Sequence, residues 1–193
     1  MIKINEPPIN SQNSSKKPEW LKVKLNTSSN YSEMKDLMKD NSLHTVCEEA
    51  RCPNIYECWN NRTATVMILG DTCTRSCGFC SVKTGKPLPV DYNEPERVAK
   101  LVKTLNLRHV VITSVDRDDI KDGGSIIWAD TVKAIRRVSP GTTMETVIPD
   151  FKGNMDQVQR IVDVAPEVVS HNMETVKRLT RSVRIQARYE RSL

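Results

Sequence analysis

Six cysteines stand between positions 47 and 80, and the rest of the 193-residue chain has none. They form two unlike trios. Cys47, Cys52 and Cys58 read C-x4-C-x5-C, whereas Cys73, Cys77 and Cys80 read C-x3-C-x2-C. Thiolates are soft ligands that select zinc, copper(I) or iron–sulfur clusters. A four-iron cube takes one thiolate per iron, so three cysteines leave one iron open to another ligand. Two trios therefore point to two 4Fe-4S clusters, each with an iron at which chemistry can occur.

Two other readings compete. Six is an even count, which a disulfide framework needs, but the chain shows no apolar signal segment and its cysteines are confined to one stretch. Structural zinc wants four ligands, often as paired C-x2-C knuckles. Only Cys77 and Cys80 make such a pair, and His44, His109 and His171 lie outside both trios. Neither trio copies the C-x2-C-x2-C run of bacterial ferredoxins. The spacing favours iron–sulfur clusters over disulfides and zinc.

Composition limits the setting. Free thiols and the lack of a leader-like segment fit a reducing, cytoplasmic compartment. No apolar run is long enough to cross a bilayer, so no membrane role is expected. The net charge of +5, from 29 Lys and Arg against 24 Asp and Glu, suits an acidic protein partner or substrate. Nucleic-acid binding is not expected, because aromatics are only 5% and no basic stripe is interleaved with them. Lys16-Lys17 and Arg136-Arg137 read as solvated surface.

The elements that must position the cysteines follow from periodicity. Ser32 to Lys39 has Met34, Leu37 and Met38 at helical spacing, with Ser32 as a candidate cap. From Thr65 the pattern becomes a βα alternation. Strands are predicted at Thr65–Leu69, His109–Ser114, Thr143–Ile148 and Glu167–His171. Helices are predicted at Pro95–Leu105, Ser125–Val138, Asn154–Val164 and from Glu174 to Thr180. Such alternation implies right-handed parallel crossovers. The motif-rich segments all follow strands: the second trio, Thr113 to Gly124, Glu145 to Phe151, and His171-Asn172. That is the active-site end of α/β barrels. Four strands do not close such a barrel, so the expected fold class is α/β, a partial (βα) barrel of about four units. No further strand is present to shield its edge, which reads as a truncated product or a fragment.

C-x3-C-x2-C after the first strand, with Phe79 between its last two cysteines, resembles the signature of the radical S-adenosylmethionine superfamily. Within that superfamily, the segments Cys47–Trp59, Pro18–Lys22, Met67–Arg75 and Thr113–Asp119 are similar to the lipoyl synthase family. So are Asp122–Gly124, Pro149–Phe151 and His171–Thr175. The resemblance covers nearly everything after Pro18.

The resemblance implies a division and a chemistry. Residues 1–18 would be a flexible arm, 19–63 an extension carrying an auxiliary cluster, and 64–193 an incomplete radical S-adenosylmethionine barrel. Cys73, Cys77 and Cys80 would hold the cluster that cleaves S-adenosylmethionine. Cys47, Cys52 and Cys58 would hold a sacrificial cluster supplying two sulfur atoms to carbons six and eight of a protein-bound octanoyl group. Implied partners are octanoylated lipoyl carrier domains (the E2 carrier subunits of 2-oxoacid dehydrogenases, and the glycine cleavage H protein), a reductant such as ferredoxin or flavodoxin, and an iron–sulfur carrier protein.

Phe79, Thr113, Ser114, Asp116, Asp118, Glu145 and Asn172 are the expected S-adenosylmethionine-binding residues. For Glu145 and Asn172 strand-end hydrogen bonding and helix capping stand as competing roles. Gly123-Gly124 reads as a turn, Arg75 as a surface or cluster-adjacent charge, and His44 and His171 as hydrogen-bonded structural residues. One departure is expected to matter: the family's C-terminal Arg-Ser-Ser motif, whose serine ligates the auxiliary cluster, has no counterpart here. Arg191-Ser192-Leu193 resembles an earlier family segment instead. These 193 residues are therefore expected not to be fully competent in sulfur insertion.

Overall fold

The computed structural model describes residues 29–40, 43–49, 52–61 and 63–193. The expected arm, the Pro18–Lys22 match and Lys16-Lys17 lie outside these residues. First come α1 (Ser29–Asp40), the two-residue strand β1 (His44–Thr45), α2 (Val46–Glu49) and α3 (Ile55–Asn60). The βα series opens with β2 (Thr63–Ile68). A two-residue parallel ladder, β3 (Thr72–Cys73) with β4 (Lys83–Thr84), lies in the connection that follows. Then come α4 (Glu94–Thr104), β5 (His109–Ser114), α5 (Ser125–Val138), β6 (Thr143–Val147), α6 (Met155–Asp163), β7 (Val168–Ser170), α7 (Lys177–Val183) and α8 (Tyr189–Ser192).

The main sheet runs β1-β2-β5-β6-β7, with β1 antiparallel and the other four parallel in sequence order. Each strand pairs with its successor, as βα crossovers require. Period two divides each strand between two faces. Ala64, Val66, Ile68, Val110, Ile112 and Met144 are buried in one core with Val98, Leu101 and Val102 of α4 and Ile127, Trp128, Val132 and Ile135 of α5. The other face carries the register row Thr65, Val111, Glu145 and Val168 and is only partly covered. This is consistent with the expected partial barrel: helices on one side of a parallel sheet, a partly covered face on the other. No described helix is long and apolar enough to cross a membrane.

Most expected elements lie within a few residues of their places; three differ in their ends. The helix α1 starts at Ser29, so Ser32 lies within it and is not its cap. The last strand is shorter than Glu167–His171 because Glu167 turns aside: its carboxylate accepts from the Met144 amide at 2.6 Å. The following helix starts at Lys177 rather than Glu174, a residue whose φ of 59° is non-helical. β1 and the β3–β4 ladder were not expected, since two-residue pairings carry no periodicity to read. The turn at Gly123-Gly124 is as expected, with φ of 59° and 87°.

Candidate functional site

Every parallel strand ends on the same rim of the sheet, and the second trio follows the first of them. Leu69 and Gly70 leave β2 with φ of 69° and 93°, and this left-handed turn sends the chain across the rim into Cys73. The Cys73 sulfur accepts backbone N–H groups from Arg75 at 3.4 Å and from Asp116 at 3.3 Å. The amide of Cys80 donates to the Cys77 carbonyl at 3.1 Å, curling the loop, and Gly78 N–H donates to Val183 O at 2.8 Å. The three thiols share a cavity of about 360 Å³ with Phe79, Thr113, Ser114 and Asp116. Phe79 is 51% exposed and offers its ring to the opening.

All six cysteines are free thiols, which leaves no disulfide framework. Among the described residues, no three His, Cys, Asp or Glu side chains close around the position of a single metal ion. The thiols of a cluster cradle stand further apart than the ligands of one ion, because each binds a different corner. Three free sulfurs wall one cavity, one thiolate being available for each of three irons of a cube. Burial pushes the Cys73 and Cys77 thiols up, with Asp116 adding to both, while the two amides on Cys73 and the Arg184 charge near Cys77 pull the other way.

Beside the cavity lies a buried ion network. Arg75, 3% exposed, grips Asp118 with Nε at 2.8 Å and Nη2 at 2.9 Å. Its Nη2 also donates to Asp150 at 2.7 Å, and its Nη1 lies 3.4 Å from Asp116. Burial works against the guanidinium charge, but Asp118, Asp150 and Asp116 together raise its pKa. Burial likewise works against the Asp150 carboxylate, yet Arg75 holds it below the ordinary range, whereas burial wins at Asp116 and pushes it up. Thr74 completes the join: its hydroxyl donates to Asp116 O at 2.8 Å and accepts from Asp118 N–H at 3.0 Å. Arg75 thus stands between Cys73 and Cys77 in the chain and is not a surface charge.

Three expected binding residues are not brought to the cavity. Asp118 is turned onto Arg75 and lines a neighbouring cavity of about 480 Å³. Glu145 accepts from the Ser170 hydroxyl across the β6–β7 pair at 2.9 Å. Asn172 is exposed, its carbonyl takes Arg184 Nη1 at 3.0 Å, and the cap position of α7 belongs to Val176. Thr113 does line the cavity, with its hydroxyl 3.4 Å from Val147 O. The Ser114 hydroxyl is buried without a partner among the described residues. His171 is a structural residue as expected, with Nδ1 2.7 Å from Ile148 O and Nε2 2.9 Å from Ser192 Oγ. His44 sits 3.6 Å from Glu49. Arg136 and Arg137 are on the surface as expected, paired there with Glu167 and Glu96.

The first trio is built on α2 and α3. Cys52 N–H donates to Cys47 O, and Cys58 N–H to Asn54 O, each at 3.0 Å. Trp59, next to Cys58 in α3, is fully buried, with the ring of Tyr31 of α1 5.3 Å away; Tyr31 also stacks on Tyr56 at 4.9 Å. Burial pushes the Cys58 thiol up, and the neighbouring Cys47 and Cys52 add to it. The strand β1 ties this segment to the β2 edge, pairing His44 with Met67 and Thr45 with Val66. Val46, next to Cys47, lines the same cavity as the second trio.

Sequence reasoning missed three residues at this rim. Arg184 lines the cavity with its Nε buried and unpartnered among the described residues. Arg117 is 4% exposed, holds Asp119 with two bonds of 2.9 Å and donates to Leu69 O at 3.3 Å. Glu94, 5% exposed, accepts from Leu69 N–H at 2.7 Å. Each is a charged residue in a helical or loop stretch that reads as surface; only a buried charge next to an apolar strand end would have marked it.

Two family models match the chain. One describes the N-terminal domain of lipoyl synthase of the radical SAM family and covers residues 5–52; the other describes the radical SAM superfamily and covers residues 67–193. The chain is 62% identical over 187 residues to a lipoyl synthase of Christiangramia forsetii, covering 96% of this chain and 64% of the relative. It is 64% identical over 177 residues to a mitochondrial lipoyl synthase of Nematostella vectensis, covering 92% and 61%. With a lipoyl synthase of Bacillus subtilis it shares 59% over 179 residues, covering 92% and 60%. The chain thus spans about three-fifths of the length of the curated relatives it matches.

Proposed function

Because the chain belongs to the radical S-adenosylmethionine superfamily, we propose that Cys73, Cys77 and Cys80 hold a 4Fe-4S cluster whose open iron binds S-adenosylmethionine. We further propose that Cys47, Cys52 and Cys58 hold an auxiliary one, and that the whole protein is a lipoyl synthase. The observation that carries this reading is the shared cavity. Three thiols at the C-terminal rim of a parallel sheet open into a space that also touches Val46, beside the first trio. Bound there, the cluster and S-adenosylmethionine would supply one-electron cleavage and a hydrogen-abstracting radical.

The chain's own residues then have definable tasks. Phe79 and Thr113 wall the cavity, and the unpartnered Ser114 hydroxyl is available to a bound ligand. Arg184 brings a buried cation near Cys77, suited to the carboxylate of an amino-acid group. The amides of Arg75 and Asp116 fix the Cys73 sulfur. Arg75 with its three carboxylates keeps the two rim loops in register and closes that wall to water. In this reading Asp118 and Asp150 act through Arg75 and do not touch the ligand.

The substrate of the whole protein would be an octanoylated lipoyl carrier domain, with sulfur entering at carbons six and eight from the auxiliary cluster. A ferredoxin- or flavodoxin-type reductant and an iron–sulfur carrier protein would serve it in a reducing compartment such as the cytoplasm. Six free thiols in one short stretch support that setting. We propose the division into residues 1–18, 19–63 and 64–193; the radical SAM model begins at residue 67, near the second boundary, whereas the N-terminal model begins at residue 5, within the proposed arm.

The test is anaerobic reconstitution with isotopically labelled sulfide, followed by reductant, S-adenosylmethionine and an octanoylated carrier peptide. Formation of 5′-deoxyadenosine that is lost in Cys77→Ala supports the first assignment. Label in the thiolated product formed by a chain of the relatives' full length supports the second. Thiolated product without label would instead indicate an auxiliary cluster that carries electrons only.

A further inference from the structure

Leu69 has a left-handed backbone, a conformation that an L-residue with a branched side chain rarely adopts. Such strain persists only where surrounding structure over-determines it. Three separate elements do so here. From α4, Glu94 Oε2 accepts the Leu69 amide at 2.7 Å. From the loop after β5, Arg117 Nη1 donates to Leu69 O at 3.3 Å. From the start of α5, Gly124 leaves room for the Leu69 side chain: a Cβ there would lie 2.3 Å from Leu69 Cδ1.

Glu94 is the unusual member. It stands in the first turn of a helix, where a carboxylate favours the dipole and ordinarily faces water. Instead it is 5% exposed, and Asn93 at the cap position makes no side-chain cap bond. Burying a carboxylate is costly unless hydrogen bonds satisfy it. Its partner is the Leu69 amide, in the turn that ends β2, four residues before Cys73.

We propose that Glu94 is a positioning residue for the second cysteine trio: its buried carboxylate locks the Leu69–Gly70 turn and so fixes where the Cys73 sulfur enters the shared cavity. This rests on reading Cys73 as a cluster ligand. Gln in place of Glu94 keeps an acceptor of the same bulk but removes its charge, so the charge-assisted bond to the Leu69 amide weakens and the lock loosens.

The test compares wild type, Glu94→Gln and Glu96→Gln, the last changing an exposed carboxylate of the same helical turn. Amide hydrogen exchange on the full chain reads the turn directly. In Glu94→Gln, residues 69–74 are expected to exchange at least tenfold faster, with β5 and α5 unchanged; Glu96→Gln behaves as wild type. After anaerobic reconstitution, Glu94→Gln should retain wild-type iron and sulfide. Its S-adenosylmethionine-induced change in the electron paramagnetic resonance of the reduced cluster should need at least tenfold more ligand. Exchange at 69–74 equal to wild type, or loosening spread evenly over β5 and α5, overturns the proposal, as does an unchanged ligand response. If Glu94→Gln does not fold, Glu94→Asp, which keeps the charge at shorter reach, is held to the same criteria. Should the wild type itself take no iron at Cys73, Cys77 and Cys80, the cluster reading fails, and exchange alone then decides the lock.

Discussion

Arg75 and Asp150 lie 75 residues apart in the chain and meet at 2.7 Å, with 2% and 0% of their side chains exposed. The contact joins the cysteine loop after β2 to the segment after β6, across the end of β5. Removing one partner of a buried pair leaves an uncompensated charge, which costs about 3–5 kcal/mol. Arg75→Ala strands three carboxylates and is expected to lose at least that much in denaturant unfolding of the apo chain. Arg75→Lys keeps the charge but not the two-pronged grip on Asp118, and should fall between.

The same contact sets an acid limb. The Asp150 carboxyl titrates below the ordinary carboxylate range in the folded chain: burial opposes its charge, but Arg75 outweighs it. A depressed folded value means the contribution is fully present above the unfolded value of about 3.9 and is lost as pH falls through the folded one. Stability measured from pH 6 downward should therefore drop steeply below roughly pH 4. Asp150→Asn should be less stable at pH 6 and show a shallower acid drop.

Gly124 is where backbone and packing demands coincide. Its φ is 87°, and an added methyl would meet Leu69 at 2.3 Å. Gly124→Ala should cost about 1–3 kcal/mol from overpacking, whereas Gly141→Ala, with nothing within 4 Å and no positive φ, should be nearly neutral. Thermal unfolding of the two variants checks the contrast.

Much of this frame is legible in the chain because periodicity carries it. His109–Ser114 and Ser125–Val138 occupy their expected spans since each has one apolar face and clear breakers around it. The cysteine trios were legible for another reason: their spacing is itself the signal. What the sequence hid was the pairing of charges. Asp118 and Glu145 looked like ligand contacts because they follow strands, yet each is engaged by a remote partner, Arg75 or Ser170. Glu94 and Arg117 look like solvated surface and are buried. Tertiary partners decide such residues, and no local pattern reports them.

The first trio depends on an aromatic support. Trp59 is fully buried beside Cys58 and faces Tyr31. Trp59→Ala should cost about 3–5 kcal/mol, concentrated in α1 and α3. In the reconstituted chain it is expected to lower iron bound by Cys47, Cys52 and Cys58 while leaving the other trio loaded. Iron analysis in a Cys73→Ala, Cys77→Ala, Cys80→Ala background isolates that effect.

The central claim is two clusters on two trios. Iron and acid-labile sulfide in the anaerobically reconstituted full chain measure it most directly. The account predicts about eight of each per chain, falling to about four when either trio is replaced by alanine. A value near four for the unaltered chain, unmoved by replacing one of the trios, would contradict it.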